Sequence, residues 1–288
     1  IRSRASGSSG AQPPSSTLRL LVALLLSLAT AGCFETTYLV QAGHGQREIT
    51  LYARPIRDVL DDEDEPTRVR DLLRHVGPVK AFGERNGLRA TTSYSKYTDL
   101  RRRAAVWVVS ACAPLAFHPR TWRFPIAGEV PYLGWFSRAD AERYAKTLRD
   151  AGWDADVRPS AAYSTLGWFE DPVLSTMLSS GPDAVGDLAE TILHESLHAT
   201  FYVPGQTGVN ESVASFVGEE LASRYLDWTF GAGSTEKAAY LATRKEGDRR
   251  AALLIRAHQD LSTLYESAAS DDEKRAKKAE RIAELSRA

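Results

Sequence analysis

The sequence predicts an α+β fold that is mostly helical, with a small β-sheet packed against the helices. Stretches with apolar residues at three- to four-residue spacing dominate the 288-residue chain and predict helices. Short stretches rich in β-branched and aromatic residues lie only near its middle and predict a few strands. Hydrophobic residues make up 43% of the chain, which at this length is enough for a core without disulfides.

The first part of the chain predicts two helices and then a strand, helix and strand. The helices cover residues 36–60 and 66–86, and the acidic segment 61–65 forms a solvated turn between them. A capping box that begins at Ser137 opens a further helix, which Gly152 ends. Strands are predicted on both sides of that helix, at residues 104–111, 121–126 and 153–158.

Helices dominate the second part of the chain. Two of them, residues 184–203 and 211–228, show helical periodicity, and Pro204 with Gly205 separates them. From Ser234 onward the sequence is charged and favours helix, and residues 270–288 predict a solvated helix of low stability. We expect a main domain at residues 33–230 and a charged helical region at 231–288.

Residues 1–32 have the pattern of a signal peptide. An apolar run of about 12 residues follows several arginines, and it is too short for the ~20 residues that span a bilayer. Thr30-Ala31-Gly32-Cys33 is similar to a bacterial lipobox, which predicts acylation of Cys33 and a lipoprotein anchored to the membrane of the bacterial cell envelope, facing the periplasm or the exterior. The alternative is simple cleavage, which would permit a disulfide from Cys33 to Cys112. Both readings predict export.

The charge balance excludes one class of partner. Lysine and arginine number 36 against 37 aspartates and glutamates, and the formal net charge is −1. A nucleic-acid-binding domain needs a basic surface, so we expect no nucleic acid partner.

The segment His194-Glu195-Ser196-Leu197-His198 carries the chemistry. Residues four apart share one face of a helix, so His194 and His198 can direct their imidazoles at one metal ion. Glu195 projects about 100° around the axis, where it can act on a water without binding the metal. In a sequence of this length and composition, we expect roughly 0.01 chance matches to this five-residue pattern. The pattern predicts one Zn²⁺ ion with one coordination position left open for water. The helix is otherwise largely apolar, so burying two imidazoles in it without a partner would be unfavourable, and a metal ion supplies that partner.

Glu211 is the best candidate for the third ligand. The link 204–210 is long enough to let the chain fold back, which predicts an antiparallel helix that presents Glu211 in its first turn with Asn210 as N-cap. An acid near a helix N-terminus is also favoured by the helix dipole alone. Glu219 and Glu220 are the alternative ligands.

The sequence resembles a bacterial family of putative aminopeptidases, predicted zinc lipoproteins of the gluzincin type. The matching segments are 121–122, 124–125, Gly134, 162–172 (AYSTLGWFEDP), 194–198 (HESLH), 202–205 (YVPG), 210–212 (NES) and 216–217 (FV). The resemblance implies a zincin-like fold, zinc ligands at His194, His198 and Glu211, and Glu195 as catalytic base. Family members extend further at the carboxyl end, so we expect a missing helical portion. The Gly-x-Met-Glu-Asn segment of other gluzincin aminopeptidases does not occur here.

These features predict a zinc-dependent peptidase that acts on peptides in the cell envelope. Glu195 would activate a water and protonate the leaving amine, and Tyr163 or, second, Tyr202 would stabilise the oxyanion. One alternative is a non-catalytic envelope lipoprotein with a structural metal, although such a site has no need for Glu195. Another is a zinc hydrolase of non-peptide amides or esters, which would carry the same motifs.

Overall fold

A computed structural model describes residues 33–124, 128–163 and 170–287. The predicted signal peptide, residues 1–32, lies outside the described residues, and so do the side chain of Cys33 and most of the 162–172 motif. The chain divides into two compact units, residues 1–44 and 45–288. Apart from the start of the first helix, all elements below belong to the second unit.

Helices make up most of the described chain, and the predicted α+β class with predominant helix is confirmed. The helices are α1 (Cys33–Leu51), α2 (Ile56–Leu60), α3 (Thr67–Arg85), α4 (Arg138–Asp150), α5 (Ala184–Thr200), α6 (Thr207–Phe230), α7 (Thr235–Glu266) and α8 (Asp271–Leu285). A single 3₁₀ turn, Ser175–Met177, precedes α5 in this part of the chain.

Within residues 33–124, 128–163 and 170–287, the strands form three small sheets. They are β1 (Arg54–Pro55), β2 (Lys96–Thr98), β3 (Val106–Cys112), β4 (Trp122–Phe124), β5 (Gly128–Val130), β6 (Tyr132–Trp135), β7 (Asp154–Ser160) and β8 (Val173–Leu174). The largest sheet has the order β6-β3-β7 and is antiparallel throughout. A second sheet has the order β1-β2-β8 with a parallel β2–β8 pair, and β4 pairs with β5. The predicted strand, helix and strand thus correspond to β3, α4 and β7.

The helix predicted at residues 36–60 is interrupted, which corrects the sequence-based expectation. Helix α1 ends at Leu51, and the chain becomes extended at Arg54 and Pro55 before α2 begins. Proline has no backbone N–H and restricts the preceding residue to extended conformations. Arg54 therefore pairs with Tyr97 of β2, and its guanidinium contacts Asp62 at 2.5 Å in the predicted acidic turn.

The hydrophobic core lies between the helices, with α5 at its centre. Helix α5 packs against α3, α6 and α7. Its fully buried side chains recur at one- and four-residue intervals, which places them on one face. They are Leu188, Ala189, Ile192 and Leu193. This burial holds α5 rigidly, so the polar side chains of its other face have defined positions.

Helices α5 and α6 are antiparallel, as the sequence predicts. Glu211 of α6 lies beside His194 and His198, whereas Gly218, seven residues later, lies against Glu190 and His194. The later α6 residue therefore meets the earlier part of α5. A connection of six residues between the two helices permits no other direction at this spacing.

The carboxyl-terminal charged region is helical, as predicted. Helix α8 begins with a capping box in which Ser270 and Glu273 bond each other's backbone N–H groups, and it buries none of its residues. Among the described residues, no helix has both the length and the apolar character that crossing a bilayer requires. Cys112 is a free thiol that contacts the Ala116 carbonyl oxygen at 3.1 Å.

Gly218 allows the close approach of α6 to α5. A Cβ at this position would lie 3.1 Å from the Glu190 carbonyl oxygen and 3.1 Å from Cβ of His194. We expect Gly218→Ala to lower the free energy of unfolding by about 1–2 kcal/mol, because the helix backbones would have to separate. Urea denaturation measures this difference.

Gly247 of α7 is the matched control, because a Cβ there would meet no atom within 4 Å. Gly247→Ala is expected to raise the free energy of unfolding by up to about 1 kcal/mol, as alanine favours helix. Equal stabilisation by both substitutions would show that the α5–α6 contact is not tight at Gly218.

Candidate metal centre

Two histidines of α5 form one side of the candidate site. His194 and His198 lie one helical turn apart, and their Nε2 atoms are 3.2 Å from each other. The two rings are nearly perpendicular, at 82°, with centroids 4.9 Å apart. The side chain of His198 is only 6% exposed and that of His194 is 20% exposed. Both imidazoles therefore direct the same nitrogen toward one point.

Glu211 of α6 completes the group. Its Oε2 lies 3.4 Å from Nε2 of His194, and its Oε1 lies 3.6 Å from Nε2 of His198. Within the described ranges, His194, His198 and Glu211 are the group of potential ligands whose donor atoms all lie within 4.8 Å of one another. The structure thus brings together the three residues that the sequence proposed as ligands.

The local structure around Glu211 differs from the prediction in one respect. Helix α6 begins at Thr207 rather than at Glu211, so Asn210 is inside the helix and is not its N-cap. Asn210 is buried, and its side-chain amide accepts from the Val203 N–H and donates to the Val203 carbonyl, both at 2.8 Å. These two bonds hold the α5–α6 loop and place Glu211 in the second helical turn.

The spacing of the donor atoms fits a tetrahedral metal ion. A zinc ion with bonds of about 2.0 to 2.2 Å holds its ligand atoms about 3.3 to 3.6 Å apart. The Nε2–Nε2 distance of 3.2 Å is close to these values, and so are the distances of 3.4 and 3.6 Å from the two Nε2 atoms to the two oxygens of the Glu211 carboxylate. Two imidazoles and one carboxylate are also a donor set that zinc prefers in catalytic sites. The residues present therefore fit the ion that the sequence implies.

Burial keeps His198 in its metal-binding form. Desolvation lowers the pKa of His198, and the charge of Glu211 opposes this shift while His194 adds to it. The imidazole is therefore neutral near pH 7, which is the form that donates an electron pair to a metal. Nδ1 of His198 is buried and has no hydrogen-bond partner in the described part of the chain, unlike most metal-binding histidines.

Glu195 lies next to this group on the same helix. It is half-buried, and its negative charge contributes to raised pKa values for two tyrosines, Tyr94 and Tyr132, after the larger effect of burial. Glu195 is not one of the three residues whose donor atoms converge.

The alternative acidic ligands point to other partners. Glu219 forms an ion pair with Arg244, and Glu220 contacts Arg224 at 2.7 Å. Neither belongs to the group of converging donor atoms in the described ranges. Glu211 is therefore the acid that the structure brings to the two histidines.

The structure describes the surroundings of the two tyrosines that the sequence proposed for oxyanion stabilisation. Tyr163 packs edge-on against Phe136 at 5.2 Å, and burial followed by the charge of Asp171 raises its pKa. Tyr202 is 49% exposed, which is close to the 44% of Tyr132 on strand β6. It lies close enough to Tyr132 to influence the pKa of that phenol.

Tyr132 on strand β6 is a further candidate, which the sequence did not indicate. Its pKa is raised by burial first, then by the charges of Glu211 and of Glu195. Its hydroxyl therefore lies within electrostatic reach of the candidate ligand and of the candidate base. No local pattern around Tyr132 signals this position, because the pairing of β6 with β3 brings it there.

Comparison with known proteins adds the family. Neither the curated proteins nor the solved structures include a significant match to the chain. The sequence model of the family described as "Putative aminopeptidase" matches residues 37–288, which is most of the chain. The chain therefore belongs to the "Putative aminopeptidase" family, and the family description indicates a peptidase-like hydrolase.

Proposed function

We propose that the protein is a zinc-dependent peptidase in which His194, His198 and Glu211 hold one zinc ion and Glu195 is the catalytic base. The observation that carries this proposal is the convergence of the two histidine Nε2 atoms, 3.2 Å apart, with the Glu211 carboxylate, whose two oxygens lie 3.4 and 3.6 Å from them. Glu195 lies beside this group on the same helix as the histidines. Membership of the "Putative aminopeptidase" family supports peptide hydrolysis and favours removal of amino-terminal residues.

Two features favour a catalytic ion over a structural one. Structural zinc sites have four protein ligands, whereas catalytic sites have three and leave a position open. Three candidate ligands converge in the described ranges, and the Glu211 side chain is 50% exposed. Substrate and water can therefore reach the site.

The chain's own residues divide the proposed reaction between them. When bound, zinc supplies Lewis-acid polarisation and makes a water acidic enough to lose its proton near pH 7. Glu195 would accept that proton as the water oxygen bonds to the scissile carbonyl carbon, and it would later deliver the proton to the nitrogen of the leaving amine as the C–N bond breaks. Buried hydrophobic side chains on the opposite face of α5 keep Glu195 and the histidines in a fixed relation.

Tyr132 is the proposed donor to the oxyanion. A tyrosine hydroxyl is protonated at neutral pH, and burial with the neighbouring carboxylates raises the pKa of Tyr132 and so extends the pH range over which it stays protonated. A protonated phenol can donate a hydrogen bond to the carbonyl oxygen as negative charge develops on it. Tyr132 therefore takes the role that the sequence suggested for Tyr163 or Tyr202.

The proposed place of action is the bacterial cell envelope. The lipobox-like segment before Cys33 supports export, acylation of Cys33 and a lipid anchor in the membrane. Stable anchoring by lipid chains takes two attachment signals, so the proposed anchor requires more than a single acyl chain. The substrates would then be peptides that reach the envelope.

The base and the third ligand can be separated by two substitutions. We expect Glu195→Gln to keep zinc at one ion per chain and to lower kcat by about 10²- to 10⁴-fold, because only proton transfer is lost. Loss of an outer-shell partner costs about 10- to 100-fold in metal affinity, so Glu211→Gln is expected to cost more. Metal analysis and hydrolysis of a peptide library, with and without chelator, measure both. A Glu195→Gln protein that cleaves as fast as wild type would refute the mechanism.

The three tyrosines can be compared as phenylalanine variants. We expect Tyr132→Phe to lower kcat by about 10²- to 10³-fold with KM and zinc content unchanged, because the lost bond forms only in the transition state. Tyr163→Phe and Tyr202→Phe are expected to have smaller effects on kcat. If either of them has the largest effect, Tyr132 is not the oxyanion donor.

The lipid anchor predicts a specific labelling pattern. In bacterial cells fed with labelled palmitate, the full-length protein should incorporate the label, and Cys33→Ser should abolish incorporation and release the protein from the membrane fraction. Cys112→Ser is the control, since this residue lies in strand β3 and should leave labelling intact. Unchanged labelling of Cys33→Ser would show that Cys33 is not the site of acylation.

A further inference from the structure

A polar network joins three helices one turn away from the candidate metal centre. Glu190 precedes His194 by four residues on α5, so both side chains lie on the same face. Glu219 of α6 follows Gly218, the residue that touches His194 and Glu190. Glu190 and Glu219 therefore belong to parts of α5 and α6 that lie close together.

Helix α7 supplies the groups that hold these two carboxylates. The guanidinium of Arg244 contacts Oε1 of Glu190 at 3.1 Å through one nitrogen and Oε1 of Glu219 through the other. The hydroxyl of Tyr240 donates to Oε2 of Glu190 at 2.8 Å and lies 3.4 Å from the Glu219 carbonyl oxygen. Both oxygens of Glu190 thus have a partner on α7.

The groups of this network are partly buried, which strengthens the interactions between their charges. Tyr240 is 1% exposed, and the side chains of Glu190 and Arg244 are 21% and 34% exposed. Two like charges in such a partly buried place repel each other more strongly than they do in water. Because the carboxylates belong to different helices, their repulsion without Arg244 would act to separate α5 from α6.

We propose that Arg244 is a positioning residue for the metal centre: by joining Glu190 to Glu219, it fixes α6 against α5 so that Glu211 reaches the two histidines. This inference rests on the proposed zinc site. Arginine suits the role because its planar fork presents two N–H groups to two acceptors, which a lysine cannot match. The Arg244 guanidinium touches none of the converging donor atoms and acts only through helix placement.

Other contacts should keep α7 in place when Arg244 is replaced. Thr243 donates to Asp183 at 2.6 Å, and Lys237 contacts Asp227 at 2.5 Å. Helix α7 thus stays tied to the residue before α5 and to α6. We therefore expect Arg244→Met to fold, with Glu190 and Glu219 left facing each other.

The test measures zinc affinity of the full-length protein by competition with a chromophoric chelator near neutral pH. We expect Arg244→Met to raise the Kd for zinc about tenfold, in the range known for outer-shell partners. Adding Glu219→Gln to Arg244→Met should restore most of this loss, because it removes the repulsion. Arg249→Ala is the matched control, since Arg249 lies on the same helix in an ion pair with Glu246 whose side chains are more than 70% exposed.

Each outcome separates this inference from the proposed function. A wild-type protein that binds no zinc would overturn the proposed function and the inference together. Zinc binding by wild type with an unchanged Kd in Arg244→Met would overturn the inference alone. A tenfold loss that Glu219→Gln does not restore would show that Arg244 supports the fold in general, and the positioning role would be wrong. If Arg244→Met fails to fold, Tyr240→Phe, which removes one bond to Glu190, should still raise the Kd above the Arg249→Ala value.

Discussion

The candidate site depends on the close antiparallel packing of α5 and α6. The Glu211 carboxylate reaches His194 and His198 only if the distance between the two helix axes and the position of one helix along the other stay fixed. Gly218 makes the distance possible, since any larger residue would meet the Glu190 carbonyl oxygen. The Asn210 side chain, bonded to both backbone groups of Val203, holds the short loop that sets the register at the other end.

Helix α5 has one face buried in the hydrophobic core and another face that carries the site and is partly open to solvent. One face of α5 is buried in the core, where close packing leaves the helix no freedom to rotate. The other face carries the imidazoles toward a carboxylate that is half exposed. Burial lowers the pKa of His198 and so favours the neutral imidazole that binds a metal, and it raises the pKa of Tyr132, which extends the pH range over which its hydroxyl is protonated.

Local patterns predicted the helices better than the strands. The amphipathic periodicity of α3, α4 and α5 is visible in the sequence, and their observed ends lie within three residues of the predicted ones. The two-residue strands β1 and β8 have no sequence signature, because they exist only through pairing with β2. The interruption at Pro55 was readable in principle, since proline disfavours a continuous helix. The sequence predicts too late a start for α6, because Asn210 is a residue type that favours the N-cap position. In the structure Asn210 lies inside the helix, and its side chain bonds the backbone of Val203 in the preceding loop.

The sequence alone determined the two histidines and Glu195 as a candidate site, because the order of residues on one helix is a local property with a fixed period. It also indicated Glu211 as one of three acids. The tertiary structure decided among those acids, since Glu219 and Glu220 meet arginines while Glu211 meets the histidines. Only the tertiary structure brought Tyr132 and Arg244 near the site, because strand pairing and helix packing join residues that no local pattern relates.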